Sequence, residues 1–211
     1  RLRFVYLNNP KVACSTIKLA LMRAETGDFA FEPATNVHDP KASPLASAAD
    51  LGEDLAQVLA DSFVFSFVRN PYRRLYSAFL NKILAGQKNG HFRKLAGFSA
   101  HARPAFEAFV ENIAQQRYRD ANPHWWPQSR NLHAGRIAPS FVGKLERFEE
   151  DWKRVAEAIG ASPPVEFKGR RTRASSQDLK DVYTPRMSAI VAEAYAEDFE
   201  RYGYPTDLAA A

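Results

Sequence analysis

Residues 2–26 constrain the fold more than any other stretch. Leu2-Arg3-Phe4-Val5-Tyr6-Leu7 is apolar and β-prone with a single charge, the pattern of a strand buried in an α/β sheet. Apolar residues at 17, 19, 20 and 21 then open an amphipathic helix. Between the two runs Asn8-Asn9-Pro10-Lys11-Val12-Ala13-Cys14-Ser15-Thr16, so the unit reads as strand, loop, helix. Ser15 or Thr16 is expected to cap the helix. Its N–H groups and positive dipole end would face the loop, and Lys11 and Lys18 add full charges. Such a junction suits a phosphate or a sulfate. It is not a Walker A loop, G-x-x-x-x-G-K-[ST]: it has no glycine, and its lysine precedes Ser15 by four residues. The plain alternative is an ordinary βα turn with a solvent-facing lysine.

A second crossing of the same kind follows. Phe63-Val64-Phe65-Ser66-Phe67-Val68 fits a central parallel strand, and Arg69-Asn70-Pro71 ends it. Pro71 suits a first helical turn, and Leu75, Ala78, Phe79 and Ile83 recur at three- and four-residue intervals. Arg69 at the strand end and Ser77 about two turns into the helix are suited to grip one phosphate by a charged fork and a hydroxyl. These crossings predict an α/β fold, P-loop-like, with a central parallel sheet flanked by helices. A length of 211 residues suits one domain, 1–211, from which a short N-terminal segment is missing if the chain was trimmed.

Elsewhere, Phe29-Ala30-Phe31 is expected to start a short strand, and 32–50, with His38, an irregular loop. Residues 86–97 read as a mobile basic surface loop, 105–118 as an amphipathic helix and 147–159 as a helix. Thr184-Pro185 starts the last helix.

Composition narrows the partners. No stretch approaches the roughly 18–20 apolar residues of a membrane span. A net charge of +5 and a pI near 9.3 favour anionic partners, with basic residues clustered only at Lys168-Gly169-Arg170-Arg171-Thr172-Arg173. The single cysteine, Cys14, excludes an internal disulfide and fits a reducing cytosol. Its place in a cationic loop makes it a candidate nucleophile as well as a small packing residue. The five histidines show neither H-E-x-x-H nor Cys/His ligand spacing, so no metal site is expected.

Five segments carry a resemblance. Pro10-Lys11-Val12-Ala13-Cys14-Ser15-Thr16-Ile17-Lys18 resembles the 5′-phosphosulfate loop P-K-[VT]-[AG]-[CS]-[ST] of the carbohydrate sulfotransferase family. The run from Phe67 to Lys82 is similar to its 3′-phosphate motif, V-R-[DN]-P-[FY]-x-R-L-x-S-A-[FY]-x-[ND]-K. His124-Trp125, Phe141-Val142-Gly143-Lys144-Leu145-Glu146 and the ending from Tyr195 to Tyr204 match shorter patterns, so the likeness runs from about residue 4 to 205.

The resemblance implies an enzyme that moves a sulfuryl group from 3′-phosphoadenosine 5′-phosphosulfate (PAPS) to a hydroxyl of a carbohydrate or glycolipid, releasing 3′-phosphoadenosine 5′-phosphate (PAP) without a metal. It assigns the phosphosulfate to Lys11, Val12, Ala13, Cys14, Ser15, Thr16, Ile17 and Lys18, and the 3′-phosphate to Arg69 and Ser77. Arg171, Arg173, Ser175 and Ser176 fall where sulfotransferases close a loop over the nucleotide, although the H-x-N form is missing. His38 lies where related enzymes keep the base that deprotonates the acceptor, and His124 is the second candidate. Trp125, Trp126 and Gln128 join His124 as acceptor contacts, since aromatic faces stack on sugar rings. Family cysteines after this segment are replaced by Leu132-His133-Ala134-Gly135, which favours a bacterial cytoplasmic protein over a membrane-anchored Golgi-lumen form. The rival readings are a P-loop-like nucleotide kinase, which needs Mg²⁺ and a glycine-rich loop, and a non-catalytic basic module binding glycans or nucleic acid.

Overall fold

In the computed structural model, which describes residues 3–85, 90–117, 121–160 and 177–210, the two apolar runs form the strands read from the sequence. β1 (Phe4–Tyr6) pairs in parallel with β2 (Phe63–Val68), Val5 opposite Val64, and β3 (Phe141–Lys144) completes a three-stranded sheet in the order β1-β2-β3. Among the described residues the α-helices are α1 (Cys14–Thr26), α2 (Ala48–Leu51), α3 (Leu55–Asp61), α4 (Pro71–Ala78), α5 (Gly90–Leu95), α6 (Phe106–Ala114), α7 (Gln128–Asn131), α8 (Phe148–Ile159), α9 (Pro185–Ala194) and α10 (Ala196–Arg201). The chain packs as two compact units, each drawn from separate stretches of sequence.

The first unit holds the strand pairing, residues 12–67, β3 and α8. Its core joins Val12, Ile17, Ala20 and Leu21 to Phe65 and Phe67 of β2, with Phe148, Trp152, Val155 and Ile159 of α8. Phe67 sits 5.0 Å from Phe148, which stacks on Trp152 at 5.8 Å. Gly143 permits this, because a Cβ there would stand 2.5 Å from the Phe67 ring. Buried Asp151 accepts the Lys144 N–H at 2.7 Å and pairs with Arg147 at 3.6 Å, fixing the β3–α8 turn.

The second unit holds Asn9–Lys11, residues 68–134 and the C-terminal helices. Tyr72, Leu75 and Phe79 pack with Phe109 and Val110 of α6 and with Met187, Val191 and Tyr195 from the α9 end. Thr184 caps α9 through the Met187 N–H, with Pro185 in the first turn. After α4 the chain continues as one π-helical segment, Phe79–Leu84, ending with the Ala85 N–H donating to the Leu80 carbonyl at 3.1 Å.

Two expectations are corrected here. Phe29-Ala30-Phe31 forms a turn with Phe29 43% exposed, since three residues with no pairing strand cannot sustain an edge. Residues 90–95 of the expected surface loop are helical and anchored. Buried Arg93 donates to the carbonyls of Ile83 at 2.9 Å and Ala100 at 2.8 Å.

Candidate functional site

The loop after β1 adopts a conformation its composition hides. Lys11 and Ala13 both have left-handed backbones, φ 72° and 62°, at roughly 1–2 kcal/mol each for a non-glycine residue. Ala13 (φ 62°, ψ 27°) is the N-cap of α1, and its carbonyl accepts the Ile17 N–H at 3.0 Å. Ala13 makes no side-chain cap hydrogen bond to this helix. The expected Ser15 or Thr16 cap is therefore corrected: α1 starts at Cys14, which puts both residues inside the first turn. Ser15 Oγ lies 2.9 Å from His38 Nε2 instead, so two of the predicted site residues meet in the first unit. His38 is exposed on a turn held by Asn36, whose Oδ1 accepts the His38 N–H at 2.9 Å. Val12 and Ile17 bury their side chains completely and offer a ligand only main chain, whereas Cys14, Thr16 and Lys18 are partly exposed.

Lys11 belongs to the second unit, where its Nζ donates to Asn81 Oδ1 at 3.1 Å. Asn81 lies in the π-helical segment, and widened turns of this kind recur at functional sites. Just before it in the chain, Asn9 is fully buried. Its Nδ2 donates to Gln128 Oε1 at 3.1 Å, and its Oδ1 accepts from Asn131 Nδ2 at 3.1 Å.

Arg69 is only 5% exposed, and Gln128 clamps its backbone: the Arg69 N–H donates to Oε1 at 2.9 Å and the Arg69 carbonyl accepts from Nε2 at 2.8 Å. Asn70 Oδ1 caps α4, accepting the N–H groups of Tyr72 at 3.0 Å and Arg73 at 3.3 Å. Ser77 is 8% exposed on the second turn. Asp198 supports Gln128 from behind, accepting the N–H groups of Gln128 at 2.6 Å and Ser129 at 2.8 Å. Burial pushes the Asp198 carboxyl up from its ordinary value, and these two donors pull it back.

His124 is half-buried on a turn begun by Asn122. Its Nδ1 is 2.6 Å from Asn122 Oδ1, and its ring meets Phe92 edge-on at 5.3 Å. The expected acceptor contacts divide here. Trp126 is half-buried, but Trp125 is a core anchor, its Nε1 donating to Gln116 Oε1 at 3.0 Å and its ring edge-on to Phe109 at 5.7 Å. Gln128 is fully buried with its amide engaged, so Trp125 and Gln128 build the wall behind the loop instead of facing a sugar. Arg171, Arg173, Ser175 and Ser176 lie outside the described residues.

Arg74 is a residue to which the sequence assigns no site role. It is 1% exposed and donates to three main-chain carbonyls: Nε to Pro10 at 3.0 Å, Nη1 to Trp126 at 2.6 Å and Nη2 to Pro123 at 2.9 Å. One guanidinium thus ties the residue before Lys11 to both flanks of His124. No periodicity marks it, because the apolar positions of α4 are spaced the same whether Arg73 or Arg74 turns inward.

Among the described residues no group of three His, Cys, Asp or Glu side chains is placed to hold a metal ion, and no helix is long and apolar enough to cross a membrane. The structure is that of an α/β protein whose parallel sheet is flanked by helices, with β1 running into α1 past Lys11 and β2 into α4 past Arg69. The chain belongs to the sulfotransferase family, whose model matches residues 1–205. Carbohydrate sulfotransferase 14 of Homo sapiens is 30% identical over 222 residues, covering 97% of this chain and 58% of that protein. The mouse protein of the same name is 31% identical with the same coverage. Carbohydrate sulfotransferase 11 of Mus musculus is 26% identical over 227 residues, covering 95% of this chain and 64% of its own. The chain thus spans 58–64% of the length of these relatives. No solved structure gives a match.

Proposed function

We propose that the chain is a PAPS-dependent carbohydrate O-sulfotransferase. The observation that carries this reading is the loop from Asn9 to Lys18: two residues held left-handed without glycine, then a helix whose N-cap residue, Ala13, makes no side-chain cap. Strain of this kind persists where a backbone is shaped for a ligand, and an uncapped helix start favours an anion. The relatives named carbohydrate sulfotransferase support a sugar hydroxyl as acceptor.

PAPS, when bound, supplies the activated sulfuryl group. Lys11 then neutralises the charge that gathers on the leaving 5′-phosphate oxygen, and the main-chain N–H groups at the start of α1 hold the phosphosulfate oxygens. Arg69 and Ser77 take the 3′-phosphate, Arg69 through its charged fork. His124 receives the proton of the acceptor hydroxyl, and half-buried Trp126 is the aromatic face on offer to a sugar ring. A second reading gives the proton to His38, supported by its 2.9 Å contact with Ser15 of the anion loop.

The test is isothermal titration with PAP, against ATP and AMP, without Mg²⁺. Binding with a Kd on the order of micromolar is expected, weakened about 10–100-fold in Arg69→Ala by loss of charged hydrogen bonds. Equal binding of ATP and PAP overturns the assignment of Arg69 and Ser77.

A further inference from the structure

Asn122 organises the turn that carries His124. Its main-chain carbonyl accepts the N–H groups of Trp125 at 2.9 Å and Trp126 at 3.0 Å. Its side-chain Oδ1 lies 3.1 Å from the His124 N–H and 2.6 Å from His124 Nδ1. A main-chain N–H can only donate, so the Asn122 atom it meets is the amide oxygen, which settles the side-chain orientation chemically. The same oxygen has no proton to give, so Nδ1 must donate to it. A neutral His124 therefore carries its proton on Nδ1 and its lone pair on Nε2.

The surroundings keep this arrangement in place. Phe92 meets the ring edge-on at 82°, and Lys82 Nζ sits over the same Phe92 ring, 4.4 Å from its centroid. The loop is pinned on both sides of the histidine: the Pro123 carbonyl accepts from Arg74 and from Asn131 Nδ2 at 3.0 Å, and the Trp126 carbonyl accepts from Arg74. His38 differs in kind. Its Nε2 faces the Ser15 hydroxyl, which both donates and accepts, so that contact selects no tautomer.

We propose that Asn122 is a positioning residue that fixes His124 as the Nδ1–H tautomer, making Nε2 the atom that takes the acceptor's proton. The proposal rests on the sulfotransferase reading above. In the step it serves, the hydroxyl proton passes to Nε2 while the acceptor oxygen forms a bond to sulfur. The bond from sulfur to the 5′-phosphate oxygen breaks, and its electron pair stays on that oxygen. The resulting imidazolium keeps Nδ1–H on Asn122 and releases the Nε2 proton to solvent.

The experiment is ¹⁵N NMR of the imidazoles in the purified chain at a pH where they are neutral, the His124 signals being assigned by their loss in His124→Gln. Wild type and Asn122→Asp, which keeps the accepting oxygen and the turn, are expected to show His124 as Nδ1–H. Asn122→Ala is expected to shift it toward Nε2–H, the form an unrestrained imidazole prefers. In turnover with PAPS and a carbohydrate acceptor, Asn122→Ala should lower kcat about 10²-fold, the lower end of what a positioned general base contributes, with the donor KM unchanged. A purely structural turn residue would not produce that split together with the tautomer change. Nε2–H at His124 in the wild type, or Nδ1–H persisting in Asn122→Ala, overturns the proposal even if the protein turns over. Full turnover in His124→Gln overturns its catalytic half. Expected tautomers with no sulfuryl transfer by the wild type support the role of Asn122 and overturn the parent reading alone.

Discussion

The two strand-to-helix crossings solve one problem in opposite ways. After β2, Pro71 fills the first turn of α4 and Asn70 Oδ1 accepts the N–H groups of Tyr72 and Arg73, so the protein satisfies its own helix start. After β1, Ala13 stands at the cap position of α1 with no side chain to offer, and the backbone is left-handed there and at Lys11. A ligand anion can use main-chain donors at the first crossing. At the second it must be met by side chains, which is the role proposed for Arg69 and Ser77.

The largest way to break this contrast is Lys11→Ala. Among the groups of the first crossing Lys11 alone brings a full charge ahead of the helix, and removing one donor to a developing anion typically lowers kcat by about 10²–10³. Steady-state kinetics with PAPS should show that loss with the circular dichroism spectrum unchanged. Retention of full activity would move the leaving-group role away from Lys11.

Gln128→Ala tests what the crossings share. One buried amide serves Asn9 ahead of the first helix and both the N–H and the carbonyl of Arg69 ahead of the second. Its removal leaves three buried polar groups without that partner, at about 3 kcal/mol together. For a chain of this size that lowers Tm by roughly 6–12 °C. A shift under about 2 °C would mean that the clamp is replaceable.

Asn70→Ala is the smaller counterpart. Loss of the cap should destabilise by about 1 kcal/mol, read as a lower urea midpoint at constant slope, while PAP affinity changes little because the proposed contacts there are side chains. A large loss of affinity at unchanged stability would mean that Asn70 itself meets the ligand.

How far these features were legible depends on what each leaves in the sequence. The two strands that feed the crossings and the helix starts at Pro71 and Pro185 follow from apolar spacing and from proline chemistry, and the structure has them there. The left-handed loop was hidden because its signal is usually glycine, and here alanine and lysine take the strain. The π-helical segment was hidden too, since one added residue per turn alters no composition. From the sequence Gln128 reads as an acceptor contact, because it lies in a loop that concentrates aromatic and hydrogen-bonding groups. Only the closed set of its partners, Asn9 and Arg69, distant in sequence, gives it a place inside.

Ala13→Gly gives the smallest effect and the sharpest sign. At φ 62° alanine carries roughly 1–2 kcal/mol of steric strain that glycine lacks, while glycine loses about 0.5–1 kcal/mol more in backbone entropy on folding. The difference is a net stabilisation of about 0–1.5 kcal/mol, so Tm should hold or rise by up to about 6 °C. Removing a side chain at the cap position of α1 would then stabilise the protein, whereas removing one at the cap position of α4 would destabilise it. Strain relieved equally with and without ligand leaves PAP affinity unchanged. If Ala13→Gly instead lowered Tm by more than about 2 °C, the alanine methyl would be supporting the loop by packing, and the first crossing would be a braced turn like the second.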